Sequence, residues 1–211
     1  MNTQKQAPQQ AYTGHDEHIL VVKRTDLFPN NSAFQGLQKF ESAAWLETIL
    51  AKKEFLPRSL METDPTYKQI IPYLVFTHDN KLFLMQRQAK ASETRLQSKF
   101  SLGIGGHIRE EDIEDADIAG WARREFHEEV VYNDAFSVEP MGILNDDSND
   151  VGKVHVGFVY LLKGTSDNIS VQEELKSGML LTIEECEAFY DRMESWSQIV
   201  FDWIKKNNVL A

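Results

Sequence analysis

Three glutamates, Glu125, Glu128 and Glu129, stand at i, i+3 and i+4 in the run Arg124-Glu125-Phe126-His127-Glu128-Glu129. On a helix that spacing turns all three carboxylates to one side. Left alone they repel, by roughly a few tenths of a kcal/mol per pair. A divalent cation among them would remove the repulsion, and carboxylate oxygens are the hard ligands that Mg²⁺ or Mn²⁺ prefers. Arg124 can hold one carboxylate in a fixed rotamer through a bidentate pair. The plainer alternative is a solvated acidic helix face, the usual fate of glutamate-rich turns. Context favours the metal: a β-like run ends in Gly105-Gly106, a loop follows, and only then does the acidic helix begin.

In this arrangement the chain resembles the Nudix hydrolase family, whose signature is G-x5-E-x7-R-E-U-x-E-E-x-G-U, with U a bulky aliphatic residue. Gly106 matches the first glycine, Arg124-Glu125 the R-E pair and Glu128-Glu129 the E-E pair, while Phe126 fills the U position with an aromatic. There are departures. Gly106 and Arg124 stand four residues further apart than the signature has them, so residues 107–117 hold an insertion. Asp112 lies six after Gly106, where the family has glutamate. Counting back from Arg124 lands instead on Ala116, between Asp115 and Asp117, and the sequence does not choose among these acids. Val131 replaces the glycine that follows E-E, which changes how the helix ends, because a left-handed cap favours glycine.

The resemblance extends over residues 69–190 and implies an α/β fold, an α/β/α sandwich with a mixed sheet. It implies Mg²⁺, with Mn²⁺ as a substitute, held by Glu125, Glu128 and Glu129, and Arg124 among the catalytic residues. The metals of that family neutralise a diphosphate, polarise its phosphorus and lower the pKa of the attacking water. A general base would complete the set, either a helix glutamate or one from a later loop; Glu174, beside Glu173 in a segment resembling that loop, is the candidate, against a solvated pair. The substrate side would involve Gly105, Gly106 and His107, with Arg87 reaching phosphate from the end of a strand. The implied activity is hydrolysis of a phosphoanhydride bond in a nucleotide or nucleoside-diphosphate-linked substrate. The alternative is a Nudix-fold module that senses a nucleotide without cutting it. An isoprenyl-diphosphate isomerase, which shares the fold, ranks low, since Ser98 to Gly106 contain no cysteine.

The elements that must position these residues follow from pattern. Ile70 to Phe76 and Lys81 to Gln86 read as strands joined by a His78-Asp79-Asn80 turn. Residues 88–98 read as a loop, Phe100 to Ile104 as a further strand, and Asp115 to Val131 as a helix buried along Ile118, Ala122, Phe126 and Val130. Phe136 to Leu144 and Val154 to Leu162 read as strands around the turn-rich Asn145 to Asp150, whose aspartates are expected as turn residues. Two helices, near 183–193 and 196–207, end the chain. Ahead of residues 69–211, residues 17–68 form an N-terminal extension: a β-like His18 to Lys23, loop chemistry over 26–42, and a helix from Ala43 to Lys53. Residues 1–16 read as a flexible arm.

Bulk properties bound the rest. With 42% hydrophobic and 26% charged residues, the 211-residue chain has the make-up of a globular protein. A formal net charge of −11 argues against general nucleic-acid binding but not against a nucleotide, since a bound cation reverses the local field. The single cysteine, Cys186, forbids an intrachain disulfide and sits in a helical pattern as a small apolar residue. With no apolar run long enough to span a bilayer, the expectation is a cytoplasmic protein without a membrane partner. Trp196, Ile199, Val200, Trp203 and Ile204 recur at helical spacing, for core packing or a homodimer contact. His155 is expected as a hydrogen-bonded structural histidine.

Overall fold

In the computed structural model the described residues are 16–39, 43–87, 99–113, 118–172 and 175–210. Twelve strands and seven helices follow in chain order among them. The strands are β1 His18–Lys23, β2 Gly36–Lys39, β3 Glu54–Pro57, β4 Tyr67–His78, β5 Lys81–Arg87, β6 Phe100–Ser101, β7 Gly103–Gly105, β8 Val130–Val131, β9 Phe136–Asn145, β10 His155–Gly164, β11 Ser170–Val171 and β12 Leu175–Leu181. The helices are α1 Arg24–Leu27, α2 Ala43–Lys52, α3 Arg58–Met61, α4 Ile118–Glu129, α5 Asp150–Val154, α6 Ile183–Glu187 and α7 Ser195–Asn207.

The main sheet runs β12-β5-β4-β10-β9-β2. It is mixed: β10 lies parallel to β4, pairing Val156 with Ile70, and antiparallel to β9. A long parallel partner needs a crossover, and here the crossover carries α4. Strand β4 alternates sides as a pleated strand must. Leu74 and Phe76 enter one apolar layer with Phe126, Val130 and Tyr132; Tyr73 and Val75 enter the other with Val200, Phe201 and Ile204 of α7. Helices thus cover both faces, giving the expected α/β/α sandwich. Phe126 has no exposed surface and stacks on Phe76 with ring centroids 5.8 Å apart. Burying a ring this way contributes about 1.5–3 kcal/mol and fixes which side of α4 faces the sheet.

Several local expectations change. Residues 26–42 contain not only loop but the edge strand β2, paired with β9, and Glu54–Pro57 forms β3 on β1. Both are too short to announce themselves and exist through long-range pairing. The run Phe100 to Ile104 divides at Leu102: β6 pairs with β5, whereas β7 pairs with β4. The Asp79-Asn80 turn joins β4 to β5 with both residues at positive φ, as a primed hairpin turn demands. Helix α4 does not reach Val131. It passes straight into β8, whose two valines suit a strand and pair with Val171 and Ser170 of β11.

The acidic segment after β9 is more than a turn. Asp146 is fully buried and accepts hydrogen bonds from Gln35, Ser148 and Asn149. Asp147 accepts both Arg24 nitrogens, at 3.0 and 2.5 Å, and Lys68 Nζ at 2.8 Å. Lys68, with no exposed surface, also donates to the Gly152 and His155 carbonyls at 2.8 and 3.1 Å. Burial lowers the Lys68 ammonium against the pull of Asp147. Burial also opposes ionisation of Asp147, but the Arg24 and Lys68 hydrogen bonds outweigh it and hold that carboxyl below the usual range. Cys186 is buried, its thiol pushed up to about 12 by burial and then by Glu185. Among the described residues no helix is long and apolar enough to cross a membrane.

Candidate active site

The β7–Gly106 segment is placed from below by Tyr73. Its hydroxyl lies 2.8 Å from Ser197 Oγ on α7 and accepts from the Gly103 N–H at 3.1 Å. A Cβ on Gly103 would stand 2.2 Å from the Tyr73 ring, so only glycine lets the strand lie on that ring. Ser197 Oγ also accepts from the Leu102 N–H at 3.0 Å. The C-terminal helix therefore fixes the approach to the glycines.

Glu125 closes over the other side of this segment. A Cβ on Gly106 would stand 2.4 Å from Glu125 Oε2, which makes the glycine a seat for the carboxylate. Only 14% of the Glu125 side chain is exposed. Burial, then repulsion from Glu128, raises its carboxyl to about 7, against the opposing pull of Arg124 and Arg109.

Arg124 does not grip a single carboxylate as a bidentate fork. Its Nη1 donates to Glu128 at 2.5 Å, its Nη2 to Asp112 Oδ1 at 2.8 Å, and Nη2 lies 3.6 Å from Glu125 Oε1. Among the acids the sequence left open, Asp112 is thus brought to the arginine, while Asp115 and Asp117 lie outside the described residues. The other oxygen of Asp112 accepts from the Arg109 N–H at 2.9 Å. Arg109 is itself tied to the N-terminal strand: it bridges to Ile19, and the Leu20 N–H donates to the Ile108 carbonyl at 2.7 Å. The insertion in the loop is therefore anchored on β1, an arrangement with no local signature in the sequence.

Glu129 lies at the edge of a small cleft lined by Gly103, Ile104, Gly105, Met85, Ser101 and Leu175. Among the described residues no three His, Cys, Asp or Glu side chains are gathered closely enough to hold an ion between them; Glu128 is drawn to Arg124 instead. The hard anionic oxygens of these glutamates are the kind of donor that divalent cations such as Mg²⁺ and Mn²⁺ take.

His107 turns to Gln69, its Nε2 2.6 Å from Gln69 Oε1 and 3.4 Å from His155 Nε2. Burial lowers its imidazole to about 3, with Arg58 and His155 adding to the effect. His155 Nδ1 lies 2.7 Å from the Val151 carbonyl. This pair reads as a neutral structural network, and the His107 side chain is committed away from a phosphate role. Arg87 ends β5 opposite Leu175, but its side chain, like Glu173, Glu174 and the 88–98 loop, lies outside the described residues. Gln172, which the sequence did not single out, donates to the carbonyls of Glu129 and His127 at the end of α4.

No family model matches the chain. Over 204 residues it is 37% identical to Protein YmaB of Bacillus subtilis (strain 168), covering 89% of this chain and 97% of that protein. The crystal structure of Tm1382, assigned to the Nudix hydrolases, is similar with a TM-score of 0.76 and 30% identity over 90% of this chain and all of that one (100%). The NUDIX domain of Shewanella oneidensis NrtR, complexed with ADP ribose, matches with a TM-score of 0.53 over 67% of this chain and 88% of that one, at an identity of 12% where the likeness is one of fold. Signature residues seated on this fold, and the 30% identity to Tm1382 over the whole of that chain, lead to one conclusion: the chain belongs to the Nudix hydrolase family.

Proposed function

We propose that the chain is a Mg²⁺-dependent hydrolase, with Mn²⁺ as a substitute, that cuts a phosphoanhydride bond in a nucleotide or a nucleoside diphosphate linked to another moiety. The observation that carries this reading is the Glu125 carboxylate seated on Gly106, beside Arg124 held by Asp112. Glu125, Glu128 and Glu129 would hold the cation. Once bound, it would supply charge neutralisation of the diphosphate and acidify water for attack. Arg124 holds Glu128 in an ion pair, which a bound cation would have to share or displace. The Gly105-Gly106 backbone forms the floor on which a diphosphate would lie, with Arg87 as a cationic contact and Glu174 as general base. Residues 69–211 would act as the hydrolase unit, with 17–68 as an extension that buttresses it, in a cytoplasmic setting with a small-molecule substrate.

The test is release of phosphate or nucleotide from a panel of nucleoside triphosphates and diphosphate-linked nucleosides, ADP-ribose among them, with Mg²⁺ or Mn²⁺. Glu128→Gln and Glu129→Gln should each remove most turnover while leaving the fold intact, a loss of at least about 100-fold where a charge on the reacting phosphate goes uncompensated. Parental rates in either variant would overturn the site. The open ligand set and the valine at position 131 favour one alternative, a nucleotide-sensing module. Tight nucleotide binding with no release across the panel would establish it.

A further inference from the structure

The last four carbonyls of a helix find no partner inside it, and a glycine in the left-handed conformation is a common way to satisfy them. Here α4 has Val131 in place of the signature glycine and runs directly into β8. The donors come from elsewhere. The Gln172 N–H donates to the Glu129 carbonyl at 2.9 Å, and the Gln172 side-chain amide donates to the His127 carbonyl at 2.5 Å. The β8–β11 pairing, Val130 with Val171 and Val131 with Ser170, carries Gln172 to this place. One residue thus engages two carbonyls of the turn that presents Glu128 and Glu129.

We propose that Gln172 is a positioning residue for hydrolysis: by capping α4 from outside, it sets the rotation of the final turn and the direction of the two glutamates. The proposal rests on the reading of those glutamates as metal ligands. Because the backbone donor survives any substitution, the side-chain amide is the part open to test. An arginine reaching the same carbonyl would replace the donor and suit the negative end of the helix. Alanine leaves the carbonyl to water, and glutamate sets a carboxylate against both the carbonyl and the helix end.

The experiment compares Gln172→Ala, Gln172→Glu and Gln172→Arg in the full chain, with Glu129→Gln beside them. Two readouts are taken: kcat and KM separately, with ADP-ribose and Mg²⁺, and Mn²⁺ affinity from the free-ion EPR signal without substrate. The alanine variant should lower kcat about 3- to 10-fold, the scale of a small misplacement of reacting groups. Its KM should stay within about twofold, and its Mn²⁺ affinity should weaken about threefold. Glutamate should lower both further, and arginine should return both to within about twofold of the parent. The Mn²⁺ titration needs no turnover, so it decides even where ADP-ribose is not cut. Parental kcat and Mn²⁺ affinity in Gln172→Ala, with Glu129→Gln impaired, overturn the proposal and leave the site intact. Equal losses in all three Gln172 variants, arginine included, also overturn it, and parental behaviour of Glu129→Gln overturns the underlying reading instead.

Discussion

Lys68 offers the sharpest test of how the N-terminal segment is joined to the sheet. Replacing it by methionine keeps most of the stem and removes the ammonium. The His155 carbonyl then loses this donor, at about 1–3 kcal/mol for a buried acceptor left unsatisfied, while the Gly152 carbonyl keeps its bond from the His155 N–H. Asp147 keeps its two bonds from Arg24 and is 31% exposed, so its share is small, about 0–1 kcal/mol. Against these stands the desolvation of a buried cation, which the variant no longer bears. The net expectation is a loss of about 2 kcal/mol, or roughly 4–8 °C in Tm for a domain of this size. Asp147→Asn should cost at least as much, about 3–5 kcal/mol, because it leaves the buried Lys68 charge without its hydrogen-bonded anion. The double variant should fall short of the sum by more than about 1 kcal/mol, since the two groups share one network. Urea unfolding and calorimetry of the four proteins give all three numbers. A Lys68→Met protein within about 0.5 kcal/mol of the parent, the range of ordinary surface changes, would refute the account. The pH sign is fixed as well: the Asp147 carboxyl is held below its ordinary value, so its contribution is complete above about pH 4 and is lost as pH falls further.

Two further outcomes are expected. Gly106→Ala puts a methyl 2.4 Å from Glu125 Oε2; the carboxylate must swing aside, lowering kcat about 10-fold or more with little change in Tm, and parental kinetics would show the seat to be unimportant. The His107 imidazole is lowered from 6.5 to about 3 by burial, so the unfolded chain takes up its proton first. Stability should be complete above about pH 6.5 and decline as pH falls toward 3, as urea midpoints across pH 7.5 to 4 would record, and His107→Gln should flatten that decline.

The long strands and the glutamate helix were legible because their burial is periodic: Leu74 and Phe76 alternate with Tyr73 and Val75, and Phe126 and Val130 recur at helical spacing. The glutamate cluster was legible through spacing alone. Strands β2 and β3 were not, since four residues carry too little pattern and their pairing partners lie far along the chain. The interior role of Asp146 and Asp147 was hidden because a turn and a buried polar hub use the same residue types, and only Arg24, Gln35 and Lys68 distinguish them. Asp112 could be named as one of several acids, but choosing it required the fold, because an insertion erases the count from the arginine side. His107 was placed correctly beside the glycine, yet its side-chain direction is set by Gln69 and His155, which no local pattern reveals.

Strand β1 fills a slot between β3 and β4, and its Ile19, Val21 and Val22 have no exposed surface. A gene trimmed to start at residue 69 would delete β1 together with the Tyr67 and Lys68 that it pairs with, and would uncover the core layer that Leu20 and Val22 share with Ile70 and Leu74. It would also release the stretch from Ile108 to Asp112 from its anchor, and with it one of the two tethers of Arg124. Homologues shortened at the front would need to rebuild both supports from some other part of the chain.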